Sequence, residues 1–330
     1  RSGSLALDST AKNLFVLTGG ALSKIEIASE KKSSIGYRAE LELNHPKERE
    51  YMFNHVARQV EEKYFRTDLN GVDWNYYTNE YRRFLPSINN NYDFAELLSE
   101  MLGEMNCSHT GSGYRPLNSS GERTASLGVI FDLNYHDTGI RVAEVLEKGP
   151  FDNAESKLRA GNIIEKINGV SIQPEEDFFP LLNRIDGQKT LISIYDPQSG
   201  KRWEEAIKPI SRGAESELLY QRWVKNRKHD VDSLSNGRLG YVHIRGMNDP
   251  SFRSIYSDIF GKYNNKEGIV IDTRYNGGGH LHEDIETLFS GKKYLDQIIR
   301  GQKIGEQPRK RWKKPSIMLI SEANYSNAHG

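Results

Sequence analysis

Cysteine occurs once in this chain, at position 107, so an internal disulfide and a zinc site built from cysteines are both excluded. That scarcity does not separate a cytoplasmic from a periplasmic location in a prokaryote, since many periplasmic proteins also lack disulfides. Long apolar runs are missing too: none approaches the ~20 residues that a membrane-spanning helix needs. Neither sign of charge is in excess, with 45 Lys+Arg against 45 Asp+Glu, so no bulk field draws nucleic acid or an anionic membrane. What is present suffices for packed domains, because 36% of residues are hydrophobic and the 10% that are aromatic argue against disorder. A chain of 330 residues exceeds one ordinary core, and two to four domains are expected. It opens without methionine and stops at Gly330, where a helix is expected to begin. Both ends read as cut from something longer, which leaves targeting undecided.

Residues 1–29 read as a meander of three short strands, around Leu5, around Phe15 and over 22–27. Three such strands cannot bury themselves. They suit either the last piece of a propeller-type blade or an independent edge meander. Residues 30–34 read as a solvated linker. From Pro46 the character turns helical, with Tyr51, Phe53, Val56, Val60 and Tyr64 at helical spacing. Asp73 is placed to cap a second helix and Asp93 a third, which carries Phe94, Leu97, Leu98 and Met101. Residues 121–209 read as short strands and turns, Asn168-Gly169 being a hairpin signal. A helix and charged loop over 215–235 lead to a β-α-β pattern: a strand at 240–244, a helix over 250–263, and a buried strand at 268–272. A helix over 280–290 and an apolar, buried strand at 315–320 follow. Strands alternating with helices imply a mostly parallel sheet with its chemistry at the strands' carboxyl ends.

Four features carry chemistry. Ser326 follows the apolar strand in a run of small and polar residues that turns a strand into a helix, which exposes a hydroxyl beside unpaired N–H groups. A plain helix cap is the competing reading. Asn276-Gly277-Gly278-Gly279 ends a buried strand and fits either an oxyanion hole or a tight turn. It lacks the spacing of a dinucleotide fingerprint and the ending of a P-loop. Ser108-His109 sets a base beside a hydroxyl able to orient it. His280 and His282, two apart on a helix, point in different directions and make a poor metal pair.

The succession of motifs resembles the carboxyl-terminal half of the tricorn proteases, within the tail-specific and C-terminal processing serine peptidases. It consists of Asn70-Gly71-Val72-Asp73-Trp74, Met101-Leu102-Gly103-Glu104 into Ser108-His109, and a PDZ-like block. That block includes Val142-Ala143-Glu144-Val145, Gly149-Pro150, Ala160-Gly161-Asn162-Ile163-Ile164 and Ile167-Asn168-Gly169. Gly240-Tyr241-Val242-His243-Ile244, Asp272-x-Arg274-x-Asn276-Gly277-Gly278-Gly279 and the strand to Ser326 complete it. The PDZ-like block departs from its pattern at Asn162, where aspartate is common.

The resemblance implies a multidomain α+β and α/β chain: the end of a propeller-type β domain and linker (1–40), a helical domain with Ser108-His109 (41–113), a PDZ-like domain (114–212) and an α/β catalytic domain (213–330). It further implies a cofactor-independent, metal-free serine endopeptidase acting on unfolded polypeptides or oligopeptides. Ser326 is then the nucleophile, His109 the general base and Ser108 the group that orients it. The N–H groups of Gly278 and Asn327 form the oxyanion hole, with Gly279 beside them. Asp296 is the candidate for binding a basic substrate residue, and a further glutamate of the site falls past Gly330. Peptides are the expected partners, with self-association left open. The rival from another class is a catalytically silent, PDZ-containing peptide-binding protein.

Overall fold

The computed structural model describes residues 3–116, 121–174 and 176–329, and every element named is one of the described residues. The first two residues of the expected meander lie outside them. The chain separates into two compact units, one running up to Pro116 and the other following it.

The first unit opens with an antiparallel meander of β1 (Ser4–Leu7), β2 (Asn13–Thr18), β3 (Ala21–Glu26) and β4 (Lys31–Ile35), paired in that order. The Asp8 carboxylate fixes the first turn, accepting from the N–H of Lys12 at 2.9 Å and from the Asn13 side chain at 2.7 Å. The fourth strand replaces the expected linker. Its Lys-Lys-Ser-Ser sequence is polar because it forms the open edge, where lysines are favoured and backbone pairing to β3 suffices.

Three helices follow. In α1 (His45–Lys63), Asn44 caps the first turn, accepting from Lys47 N–H, and Pro46 sits where no donor is needed. Phe53 and Ala57 are buried, whereas Tyr51, expected on the same face, is exposed. Arg49 takes the inner position one turn before Phe53, and its guanidinium donates to the carbonyls of Ile88 and Asn89. In α2 (Trp74–Arg82), Asp73 is the cap, as expected. Its Trp74 indole donates to Ala57 O at 3.0 Å, locking α2 to α1. The cap of α3 (Asn91–Gly103) is Asn90 rather than Asp93, because Asn90 Oδ1 accepts from the N–H groups of both Tyr92 and Asp93. Asp93 lies in the first turn, where its charge suits the helix dipole. Phe53, Trp74, Phe94, Leu97, Leu98, Met101 and Met105 form the core.

The second unit begins with β5 (Ala125–Ser126), β6 (Val129–Phe131), β7 (Ile140–Val145), β8 (Ile163–Ile167), β9 (Val170–Ser171), β10 (Thr190–Asp196), β11 (Lys201–Ile207) and β12 (Ile210–Ser211). The main sheet runs β11-β10-β8-β7-β6, with β9 on β8 through the Asn168-Gly169 turn. Its core holds Leu127, Val142, Leu158, Ile164, Ile192 and Ile194. Asn162 caps a turn within it, accepting from Arg159 N–H at 2.8 Å. The pairing of β12 with β5 feeds α4 (Arg212–Leu234), a continuous helix of 23 residues where a helix and loop were expected. Arg222 on α4 makes a two-pronged ion pair with Glu144 on β7.

The chain then forms a parallel sheet in the order β13 (Leu239–His243), β14 (Gly268–Asp272), β17 (Ser316–Leu319), with β14 in the middle. Between β13 and β14 lies α5 (Asp249–Ser257), prolonged by a wider π-type turn over Asp258–Lys262. After β14 come α6 (His282–Ser290) and a hairpin of β15 (Leu295–Ile299) and β16 (Gln302–Gln307), for which no sequence expectation was made. Val242, Ile244, Ile255, Ile259, Ile269, Ile271, Ile285, Leu288 and Trp312 pack the core of this half. Among the described residues the apolar strand expected to be buried lies at an edge: Ile317 is 60% exposed and Ile320 69%. No helix among the described residues is long and apolar enough to cross a membrane.

Candidate functional site

Two loops leave the carboxyl ends of neighbouring parallel strands, residues 273–281 after β14 and 320–329 after β17. Strand register sets them side by side, since Asp272 pairs with Leu319. Thr273 then ties them at the base, its N–H and hydroxyl both donating to Leu319 O.

Two buried asparagines hold the loops in shape. Asn324 donates from Nδ2 to Thr273 Oγ1 at 2.9 Å and to Ala328 O at 3.0 Å, while its Oδ1 accepts from the N–H and hydroxyl of Ser321. Asn276, fully buried, donates to Ile244 O at 2.9 Å, accepts from Gly278 N–H at 2.8 Å on Oδ1, and accepts from Tyr325 N–H on its carbonyl. A short amide reaches both chains without a charge to desolvate, which explains the residue type at both positions.

Between these braces stands Ser326, at the start of a 3-10 turn over Ser326–Ala328. Its φ is +56°, a left-handed conformation that costs a side-chain-bearing residue about 1–2 kcal/mol. Backbone strain of that kind clusters at active sites and ligand clamps. The glycine turn packs against it. Gly278 has φ +91°, and a β-carbon there would stand 2.6 Å from Ser326 Cβ. At Gly279 a β-carbon would stand 2.2 Å from Met247 O. Gly279 O accepts from the Asn327 side chain at 2.6 Å. The Gly278 N–H is spent on Asn276, whereas Gly279 N–H has no hydrogen-bond partner among the described residues.

Beneath the turn lies a polar network that the sequence reading did not find. His243 and Asp272 are register partners, so their side chains share the sheet face covered by α4. Asp272 is fully buried and accepts from Tyr241 OH at 2.7 Å and from the backbone N–H and guanidinium of Arg274. Burial works to raise its pKa, but the bonds from Arg274 and Tyr241 outweigh that and hold it below the usual aspartate value. Burial, joined by the Asp272 charge, drives Tyr241 upward. The ring of His243 bridges Arg274 O at 3.1 Å and Tyr220 OH on α4 at 2.9 Å. Its pKa is pulled down by burial. The Asp-x-Arg-x-Asn spacing was the available signal for part of this network. The Gly240–Ile244 motif marked β13 without giving Tyr241 or His243 a role, and α4 offered no signal, because only folding brings them together.

In the first unit, Ser108 and His109 are exposed on the loop that leaves α3, His109 at φ +65°. Thr110 Oγ1 donates to Cys107 O, and Ser99 on α3 grips the loop's far end through Ser112, with one bond given and one received. Asp296 lies on β15, paired with Lys293 and Lys303, which hold its pKa at about 2. His280 and His282 are both exposed. Among the described residues no group of three or more His, Cys, Asp or Glu is placed to hold a metal ion.

Comparison with known proteins gives this geometry a family context. Residues 45–103 match the Tricorn protease C1 domain, and residues 238–330 match Peptidase family S41. The chain is 30% identical over 285 residues to Tricorn protease homolog 1 of Streptomyces coelicolor, covering 84% of this chain and 26% of that one. It is 22% identical over 262 residues to the Tricorn protease of Thermoplasma volcanium, covering 76% and 24%. A crystal structure of the tricorn protease superposes with a TM-score of 0.77 at 20% identity, covering 98% of this chain and 32% of that one, and so shares its fold. The chain spans about a quarter of the length of these curated relatives. The likeness to the carboxyl-terminal half of tricorn proteases, expected from the motifs, is borne out, and residues 238–330 are similar to Peptidase family S41.

Proposed function

We propose that this chain supplies the catalytic machinery of a cofactor-independent serine endopeptidase that cleaves unfolded polypeptides or oligopeptides. The observation that carries the reading is the left-handed Ser326 packed against Gly278 at the carboxyl end of a parallel sheet. Ser326 Oγ attacks the peptide carbonyl while His109, oriented by Ser108, takes its proton and then returns it to the leaving amine. The oxyanion is held by backbone N–H groups of the glycine turn and of Asn327. Because Gly278 N–H already serves Asn276, we assign the glycine donor to Gly279 and give Gly278 the task of letting the turn approach the serine. The likeness to tricorn proteases and to peptidase family S41 supports the same reading.

The β6–β11 module is read as a PDZ-like domain. In support, β6 is an edge strand, open to addition of an extended peptide, with Phe131 against Phe178 beside it. The β1–β4 meander is read as a propeller-type blade, since up-and-down order is the form of such a blade. Asp296 remains the proposed contact for a basic substrate residue, which has to compete with Lys293 and Lys303 for it.

The test is a fluorophosphonate probe on the full-length protein. Wild type is expected to be labelled and Ser326→Ala not. Undiminished labelling of the alanine variant removes Ser326 from the active site.

A further inference from the structure

We propose that His243 is a positioning residue for this reaction, holding the Arg274 carbonyl so that the glycine turn presents its N–H groups to the substrate. The inference rests on the serine peptidase reading above and adds a residue that neither motif spacing nor family likeness assigns.

The tautomer is set by the partners. A carbonyl has no proton to give, so the nitrogen facing Arg274 O, Nε2, carries the hydrogen, and Nδ1 must accept from Tyr220 OH. Burial keeps the ring neutral and supports this arrangement. Trp223, edge-on at 4.9 Å, walls the ring on the helix side.

Arg274 is thereby held at three points. Its N–H and its guanidinium are both fixed by Asp272, and its carbonyl by His243. The next residue, Tyr275, has φ +65°. A left-handed tyrosine is unfavourable and persists only where its flanking peptides are clamped. On the far side the clamp is Asn276, which also sets Gly278. On the near side it is the Arg274–Tyr275 peptide, whose carbonyl accepts from His243 at 3.1 Å and whose N–H donates to Ser321 Oγ at 3.2 Å. Without the His243 bond that peptide keeps only the Ser321 anchor, the longer of the two, and can tilt to relieve Tyr275. The displacement then passes along a four-residue turn to Gly279.

The experiment measures the rate of fluorophosphonate labelling and the kcat and KM of peptide cleavage, using full-length protein. His243→Phe keeps the ring packing and loses the donor. It is expected to label Ser326 about 10²-fold more slowly, the cost of a misplacement near 1 Å, with kcat reduced and KM little changed. His243→Gln, whose amide nitrogen reaches the Nε2 position, is expected to restore most of the rate. Tyr220→Phe removes one hydroxyl, leaves the sheet untouched and frees the ring to flip, and a smaller loss is expected. Wild-type rates in both His243→Phe and Tyr220→Phe overturn the proposal. So does a loss in His243→Gln equal to that in His243→Phe, since rate then follows damage to the core and not the donor. If His243→Phe does not fold, the Tyr220→Phe and His243→Gln rates decide on the same terms. Failure of the peptidase reading shows separately, as labelling that survives Ser326→Ala.

Discussion

Gly278 lies against Ser326 so closely that a β-carbon on the glycine would stand 2.6 Å from that of the serine and 2.7 Å from Tyr325 O. Real β-carbons do not approach so near, and the second of these neighbours is backbone. A side chain at position 278 would therefore displace the serine loop. Position 278 is closed to any side chain for two independent reasons, space and a φ of +91°.

Gly278→Ala is accordingly expected to fold with a loss of about 1–3 kcal/mol and to react with a fluorophosphonate about 10²-fold more slowly. Labelling rate and thermal midpoint read the two effects separately. An alanine variant that labels as fast as wild type would show that the contact has slack.

Ser326 itself gives a second expectation. Both Ser326→Ala and Ser326→Gly are expected to be inactive. Only the glycine variant escapes the left-handed penalty, so it should be the more stable of the two by about 1 kcal/mol. Denaturant midpoints compare them, and equal stability would mean that the φ of +56° carries no strain.

Asn324 is buried, donates twice and accepts twice. Asn324→Ala strands several of those partners and is expected to cost about 2 kcal/mol and to loosen the serine loop. Proteolysis of the variant at loop 320–329, faster than in wild type, is the check.

Acid sensitivity arises from the network under the turn. The groups facing His243 are Tyr220 from α4, with Glu217 reaching Arg245 beside it, and Arg245, Asp272 and Arg274 from the sheet side. Burial lowers the folded pKa of His243 below its ordinary 6.5. The unfolded chain therefore takes up the proton first, and stability, complete above about pH 6.5, falls as the pH drops toward the folded value. Asp272 adds a second stage. Its folded pKa is below the ordinary 3.8, so its contribution is whole above about pH 4 and is lost as the pH falls through the lowered value. Urea midpoints taken from about pH 8 to pH 3 should show both stages, and His243→Gln should lack the first. An unaltered slope in that variant assigns the first stage to other groups.

The sequence made the helices of the first unit and the β-α-β order of the second legible, because capping residues and periodic apolar positions are local signals. Asp73 before Trp74 is an instance. Where two caps competed, as Asn90 and Asp93 do, the pattern could not choose between them. Their reciprocal arrangement, Asn90 Nδ2 donating to the Asp93 carboxylate at 2.7 Å, satisfies both. Strand β4 carries no apolar signal because an edge needs none, and the apolar composition of β17 does not reveal that, among the described residues, it lies at the edge of its sheet. The Arg300-Gly301 turn of the β15–β16 hairpin, with both residues at positive φ, was a signal available and not used. Of the candidate site, Ser326 and the glycines were visible as motifs. His243 stood in the Gly240–Ile244 motif with no role attached, because its role depends on a register between parallel strands and on a helix that lies about twenty residues earlier in the chain.

Trp223 rests edge-on to His243 at 4.9 Å and beneath the Arg274 guanidinium at 5.3 Å. Indole emission is sensitive to a neighbouring imidazolium, so the emission of Trp223, one of four tryptophans, is expected to change when the ring takes up a proton. In a variant keeping Trp223 as its sole tryptophan, that emission would follow the state of the proposed clamp in real time without an attached dye.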